Sequence, residues 1–272
     1  MRIIKPSIKI VLPLLLCMAA LLVGLYLKSE QVVPTTTSVP GQELSSMTSE
    51  DKHDSPDSRD FSRFVVCLDP GHSSDGSDGK AKVNGVTELE INWEVAEKLK
   101  RALEERYRVR VVMTRDERDK TVGNRQRAEV ANNAHADLFF RLHCDWEATG
   151  KQFGFTFYYP AQAGTAEGRT GPSADVMRSS QKAAMSIHSG TAKALNGALT
   201  DHGIKTDDST YIGHSQGGAL TGSIFSEIPV VLIEMVYLSN KSDAEFIKSD
   251  KGQQVMADSL AEGIVEYLRS VP

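Results

Sequence analysis

Residues 65–72 read VVCLDPGH: Val65, Val66, Cys67 and Leu68 continue an apolar run from Phe64, and Asp69, Pro70 and Gly71 then turn the chain into His72. An unbroken apolar run closed by turn residues is the pattern of a strand buried on both faces, as in a parallel sheet. Its carboxyl end delivers Asp69 and His72. Working outward, Glu88 to Tyr107 carries apolar residues at 91, 95, 99 and 103, which is one face of a helix. Val109 to Thr114 is predicted as a second strand, Thr121 to Ala134 as a second helix, and 137–143 (DLFFRLH) as a third strand ending at His143. Phe153 to Tyr159 gives a fourth strand, and Ser179 to His202 a third helix whose regularity Gly190 and Gly197 weaken. Ile228 to Glu234 (IPVVLIE) is a fifth, buried strand, followed by a helix within Gly252 to Arg269. Strands alternating with amphipathic helices predict an α/β domain, a mostly parallel twisted sheet with helices on both faces. In such sheets ligands gather beyond the carboxyl ends of the strands. His72, His143 and Glu234 all fall there.

The rest of the chain sets the context of that domain. With 272 residues, 40% hydrophobic and 25% charged, the chain holds enough apolar material for one sizeable core. A net charge of -5 offers none of the basic footprint that nucleic acid requires. Arg2, Lys5 and Lys9 precede an uncharged run at 10–27 (IVLPLLLCMAALLVGLYL), which Lys28 closes. At ~1.5 Å per residue this run covers roughly 27 Å, enough for a bilayer core. No clean small-x-small cleavage site follows, so a membrane helix that acts as an uncleaved anchor is expected in preference to a cleaved signal peptide. Positive residues before the run place the bulk of the protein outside the cytoplasm. Residues 29–62 are rich in Ser, Thr, Asp, Glu and Pro and read as a flexible tether, with His53 a solvated residue in it. The expected organisation is therefore 1–28 signal anchor or signal peptide, 29–62 disordered polar linker and 63–272 catalytic domain.

Cys17 lies in the apolar run, and Leu14, Leu15 and Leu16 before it lack the small residue of a lipidation site. Cys67 and Cys144 are expected as buried free thiols rather than a disulfide. Cys144 adjoins His143, and strand neighbours point to opposite faces, so the two do not readily share one ion.

A catalytic zinc takes three nitrogen or carboxylate ligands and keeps one position open for water. Two histidines and one glutamate fit that pattern, and a further carboxylate must move the water proton to the leaving amine. Glu234 is placed for this work. A strand-end histidine alone is more often structural; several candidates at one sheet edge make a constellation. Spacing adds little, because gaps of 16 and 55 residues from His72 to Glu88 to His143 are unlike the compact H-E-x-x-H helix.

The motifs VVCLDPGH (65–72), NGVTELEIN (84–92), VVMTRD (111–116), RAEVANNAHADLFFRLHCD (127–145) and IPVVLIEMVYLSN (228–240) resemble, in order and spacing, the zinc-dependent N-acetylmuramoyl-L-alanine amidases. The resemblance spans 64–269. It implies a phosphorylase/hydrolase-like fold, a Zn2+ cofactor, and a peptidoglycan substrate cut between N-acetylmuramic acid and L-alanine. It also implies His72, Glu88 and His143 as metal ligands, with Glu88 preferred over Glu90, and Glu234 as the catalytic carboxylate. Arg141, where a small residue is usual, and Val236, where glycine is usual, depart from the pattern. Asp69 either orients a ligand histidine or forms the turn. Arg115 and Arg127 either bind substrate carboxylates or make structural ion pairs.

Other readings compete with this one. A zinc peptidase acting on the stem peptide differs only through the resemblance, and a non-catalytic peptidoglycan-binding domain would not need every ligand and base residue. The G-H-S-Q-G at 213–217 fits a serine-hydrolase elbow, but no histidine follows His214 to complete a triad. It is expected to be a glycine-rich loop from Gly213 to Gly222. The stretch from Ala161 to Asp207 is a candidate cover for the zinc that an activator protein would lift, with His188 and His202 either occluding ligands or solvent-facing.

Overall fold

A computed structural model of the chain describes residues 60–73 and 77–272. The apolar run at 10–27 with Cys17, and almost all of the tether with His53, lie outside the described residues. Among those described, no helix is long and apolar enough to cross a membrane.

In chain order the first elements are β1 (Val65–Pro70), a hairpin of β2 (Lys82–Val83) and β3 (Val86–Thr87), α1 (Glu88–Tyr107), β4 (Arg110–Met113), α2 (Asn124–Asn133), β5 (Leu138–Asp145) and β6 (Phe155–Tyr159). A second hairpin of β7 (Gly164–Ala166) and β8 (Arg169–Gly171) leads into α3 (Ala174–Leu195) and β9 (Asp201–Thr206). Two short helices, α4 (Tyr211–Ser215) and α5 (Thr221–Ile224), precede β10 (Val230–Tyr237), α6 (Lys241–Lys248) and α7 (Asp250–Arg269).

The main sheet has the order β4-β1-β5-β10-β6-β9. β4, β1, β5 and β10 are mutually parallel, whereas β6 pairs antiparallel with β10 and β9 runs parallel to β6. The strand alternation divides the interior in two. Leu68, Phe140, Leu142, Val231 and Ile233 enter the larger core with the apolar faces of α1, α3 and α7. Cys67, Phe139 and Val230 face the other way, onto Ala128 and Ala131 of α2 and onto Ile224 and Phe225. Helices cover both faces, as the alternating pattern predicts.

The third helix differs from its expected span of Ser179 to His202. It begins after Ser173, whose hydroxyl accepts from the Val176 N–H, and ends at Asn196 in the left-handed region with φ 46° and ψ 43°. Pro-Ser before a helix and Asn-Gly after one are its ordinary punctuation, and apolar periodicity alone does not register them. Gly190 does not loosen the helix. A Cβ there would lie 2.7 Å from the Cα of Gly263, so the two glycines let α3 and α7 cross closely. The released residues form β9, an edge strand with the sequence DHGIKT whose single large apolar residue, Ile204, gives no alternation to read.

Candidate metal centre

β1 and β5 bring His72 and His143 to the same edge of the sheet, and α1 starts there with Glu88. One ligand atom from each of these three residues lies within 4.8 Å of the others. His72 Nε2 is 2.6 Å from Glu88 Oε2, and His143 Nδ1 is 3.2 Å from Glu88 Oε1. Second contacts fix each group. His72 Nδ1 meets the Ser77 hydroxyl at 2.7 Å. Glu88 Oε1 accepts from Asn92 Nδ2 at 3.2 Å and from the Cys144 backbone N–H at 3.0 Å. His143 Nε2 is buried and without a hydrogen-bond partner. Two imidazoles and a carboxylate, with an orphaned ring nitrogen among them, form a donor set suited to a divalent metal of the zinc type.

Burial opposes ionisation of Glu88, but hydrogen bonds from His143 and His72 outweigh it and hold the carboxyl well below the usual range. Burial likewise pushes the His143 imidazole down, against the pull of Glu88. A charged carboxylate beside the neutral His143 imidazole is the protonation state that metal binding requires.

The two histidine rings have room because the backbone beside them carries no side chains. A Cβ on Gly71 would lie 2.3 Å from His143 Cε1, and one on Gly79 would lie 2.6 Å from His72 Cβ.

Glu90, two residues from Glu88, serves the helix. The Thr87 hydroxyl accepts from the Glu90 backbone N–H at 3.3 Å and donates to Glu90 Oε2 at 2.7 Å. This is an N-terminal cap of the T-x-x-E type, and the sequence TELE carries its signature. Asn92 and Ser77 also support the site without having been singled out. For Asn92 the signal is its place four residues after Glu88, where side chains on one helix face meet.

Asp69 does not touch a ligand histidine. Its carboxylate is fully buried and receives Arg127 Nη1 at 2.6 Å, Arg141 Nε at 2.9 Å and the Thr114 hydroxyl at 2.7 Å. Burial would raise its pKa, but the Arg127 and Arg141 guanidinium groups hold it well below the carboxylate range. Arg115 and Arg127 are spent on structure too. Arg115 Nη1 donates to the carbonyls of Pro70 and His72 at 2.5 and 2.7 Å, and Arg127 Nη2 also donates to the His72 carbonyl. His72 and Ser73 adopt positive φ of 66° and 53°. The guanidinium groups pin that strained turn, so Asp69 reaches His72 through Arg127 and the backbone.

Glu234 on β10 is the register partner of His143 on β5 and of Thr156 on β6. The residue is partly exposed, yet its Oε2 is buried and unpartnered. Burial, then the nearby charges of Glu88 and Asp145, push its pKa well above the usual range, with Arg141 pulling the other way.

The remaining candidates lie elsewhere. Cys67 and Cys144 are free, buried and on opposite faces of the sheet. Gly213 to Gly222 is not a plain loop, since α4 and α5 fall partly within it. Ser215 lies exposed on α4 with its hydroxyl on the Ile212 carbonyl at 2.8 Å, and no strand leads into it. The stretch 161–207 does not supply the centre with histidines: α3 packs into the larger core, His188 Nε2 bonds the Asp201 carboxylate at 2.8 Å, and His202 Nε2 bonds the Phe153 carbonyl at 2.5 Å.

The profile of the N-acetylmuramoyl-L-alanine amidases matches residues 66–266, which include every residue of this centre. The chain belongs to the N-acetylmuramoyl-L-alanine amidase family. An endolysin of Bacillus phage SPP1 is 31% identical over 205 residues, covering 75% of this chain and 66% of the endolysin. The N-acetylmuramoyl-L-alanine amidase LytC of Bacillus subtilis (strain 168) is 25% identical over 205 residues, 75% of this chain but 36% of its own. The solved catalytic domain of CwlV, an N-acetylmuramoyl-L-alanine amidase from Bacillus (Paenibacillus) polymyxa var. colistinus, is similar at a TM-score of 0.60 and 26% identity, over 76% of this chain and 98% of that one. The chain thus spans about two thirds of the endolysin and about a third of LytC.

Of the two positions that the resemblance sets apart, Arg141 and Val236, the fold gives the first a direct use. Arg141 pairs with Asp69, donates to Asn124 Oδ1 at 2.9 Å, and lies against Gly222, where a Cβ would meet its Nη1 at 2.5 Å. Val236 is fully buried in the larger core, inside the register shift between Glu234 and Tyr237.

Proposed function

We propose that the chain is a zinc-dependent peptidoglycan hydrolase that cuts the amide between the lactyl group of N-acetylmuramic acid and L-alanine. The observation that carries this reading is the convergence of His72, Glu88 and His143 within 4.8 Å, with Glu234 in register beside His143. His72, Glu88 and His143 would hold the metal. When bound, zinc supplies a Lewis acid for the amide carbonyl and lowers the pKa of water towards ~7. Glu234 takes the proton of the attacking water on its carboxylate and returns it to the amide nitrogen as the C–N bond breaks. The products are a lactyl carboxylate on the sugar and a free α-amine on L-alanine. Asn92 and the Cys144 N–H orient Glu88, and Ser77 orients His72. The work lies outside the cytoplasm, with the run at 10–27 as anchor and peptidoglycan as partner.

The test is metal analysis with digestion of purified walls, read by mass spectrometry. Wild type should release free N-terminal L-alanine from intact glycan. Glu234→Ala should keep zinc and lose turnover, and His143→Ala should lose both. Cleavage further along the peptide, or none with zinc restored, overturns the assignment.

A further inference from the structure

A cleft of about 190 Å³ opens beside Glu88. Ala81 and Val83 of the β2–β3 hairpin, Leu238 after β10, and Trp146 after β5 supply its apolar walls; Glu88 and Asp145 supply its polar ones. Trp146 lines the cleft and is 58% exposed.

This cleft is built rather than incidental. Asn84 and Gly85 form a two-residue hairpin turn with φ of 48° and 92°, the left-handed pair that Asn-Gly favours. From that turn Asn84 Nδ2 donates to the carbonyls of Leu238 and Ser239 at 2.8 and 3.1 Å, clamping one wall to another. Opposite, the Trp146 backbone N–H donates to Asp145 Oδ1 at 2.7 Å, and the Glu147 N–H to the Ser239 hydroxyl at 3.1 Å.

Volume and charge together select an occupant. The cleft is below the ~300–1,000 Å³ of sites that enclose a drug-sized ligand, so it takes one ring of a longer polymer. Its charged lining consists of carboxylates, and no cation lines it. That suits a neutral ring and disfavours the stem peptide, which ends in a carboxylate. A pyranose offers an apolar C–H face to an indole and hydroxyl groups to carboxylates.

We propose that this cleft is the subsite for the muramyl sugar, with Trp146 as the platform on which the ring stacks and the determinant of preference for a sugar-bearing acyl group. The proposal rests on the amidase reaction above. It sends the glycan over Trp146 and the peptide towards the opposite side of the metal.

The experiment compares an N-acetylmuramoyl peptide with the same peptide bearing only the lactyl group. Zinc-loaded wild type should prefer the former. Trp146→Ala should lose about 3- to 10-fold in kcat/KM on the muramyl substrate, and nothing on the lactyl one, while Trp146→Phe keeps most of the preference. Equal loss on both substrates, or loss on neither, overturns the proposal. Failure of wild type on both removes the amidase reading and this inference with it. Binding gives an independent readout. The chain has two tryptophans, so in Trp93→Phe the fluorescence reports Trp146 alone. Titration with the amide of N-acetylmuramic acid, whose lactyl carboxyl is uncharged as in the substrate, should perturb it, and an unchanged signal at millimolar sugar counts against the subsite.

Discussion

Asp69 on β1 and Arg141 on β5 stand opposite each other in the parallel ladder, and their side chains meet at 2.9 Å with neither more than 5% exposed. Arg127 closes on the same carboxylate from α2. One anion thus serves as counterion to two buried guanidinium groups.

That arrangement makes Asp69→Asn costly. The change leaves buried cations without their counterion, and a loss of about 3–5 kcal/mol is expected in denaturant unfolding. The pH dependence has a definite sign. The folded-state pKa of Asp69 is depressed from its ordinary 3.8, so its stabilisation is full above about pH 4 and drains away as pH falls towards the folded value. Unfolding free energy measured from pH 6 to pH 3 should fall in wild type and fall less steeply in Asp69→Asn.

Glu88 and Glu90 should separate cleanly. Glu88→Ala should abolish tight zinc binding. Glu90→Ala should retain the metal and lower stability by about 1 kcal/mol through the weakened cap. Metal analysis beside thermal melting distinguishes them, and an exchange of phenotypes would reverse the assignment.

Gly71→Ala should damage the centre without touching a ligand. The new methyl would sit 2.3 Å from the His143 ring and displace it. Zinc affinity is expected to drop about 10- to 100-fold, the usual scale for disturbed ligand orientation. Competition with a chelator measures it.

Gly263→Ala tests the helix crossing. Its Cβ would lie 2.4 Å from the Ile187 carbonyl and 2.3 Å from the Thr191 hydroxyl, so α3 must move. About 1–3 kcal/mol of destabilisation should appear in denaturant unfolding, with little change in zinc content.

What the sequence made legible follows from where the physics is local. Buried strands such as β1 and β10 are continuous apolar runs, and α1 has an apolar stripe, so all three are readable within a dozen residues. β9 is not readable this way, because an edge strand with one buried face needs few apolar residues. The orientation of β6 is equally silent, since an alternating strand has the same composition in either direction. At the centre, residue types mark His72, Glu88 and His143 once a resemblance aligns them. The use of Arg115 and Arg127 is not marked, because a guanidinium holding backbone carbonyls and one awaiting a substrate carboxylate look alike in one dimension. The threonine cap that occupies Glu90 was written in TELE and needed only the right template.

The reversal of direction at β6 has a consequence for how this enzyme can diversify. β5 ends at the metal-bearing edge and β6, two places along in the sheet, begins there, so the connecting chain from Trp146 to Gly154 arches over the end of β10 instead of crossing the sheet. Asn240 donates to the Gly150 carbonyl at 3.2 Å, the Glu147 N–H donates to the Ser239 hydroxyl, and the Glu147 carboxylate gathers the backbone N–H groups of Thr149, Lys151 and Gln152, so the arch is held by its backbone. Side chains that take no part in those contacts can therefore change the surface beside the metal-bearing edge while the strands that carry the ligands stay in place. In this protein, variation has a natural address at Ala148, Lys151 and Gln152, whose side chains are exposed.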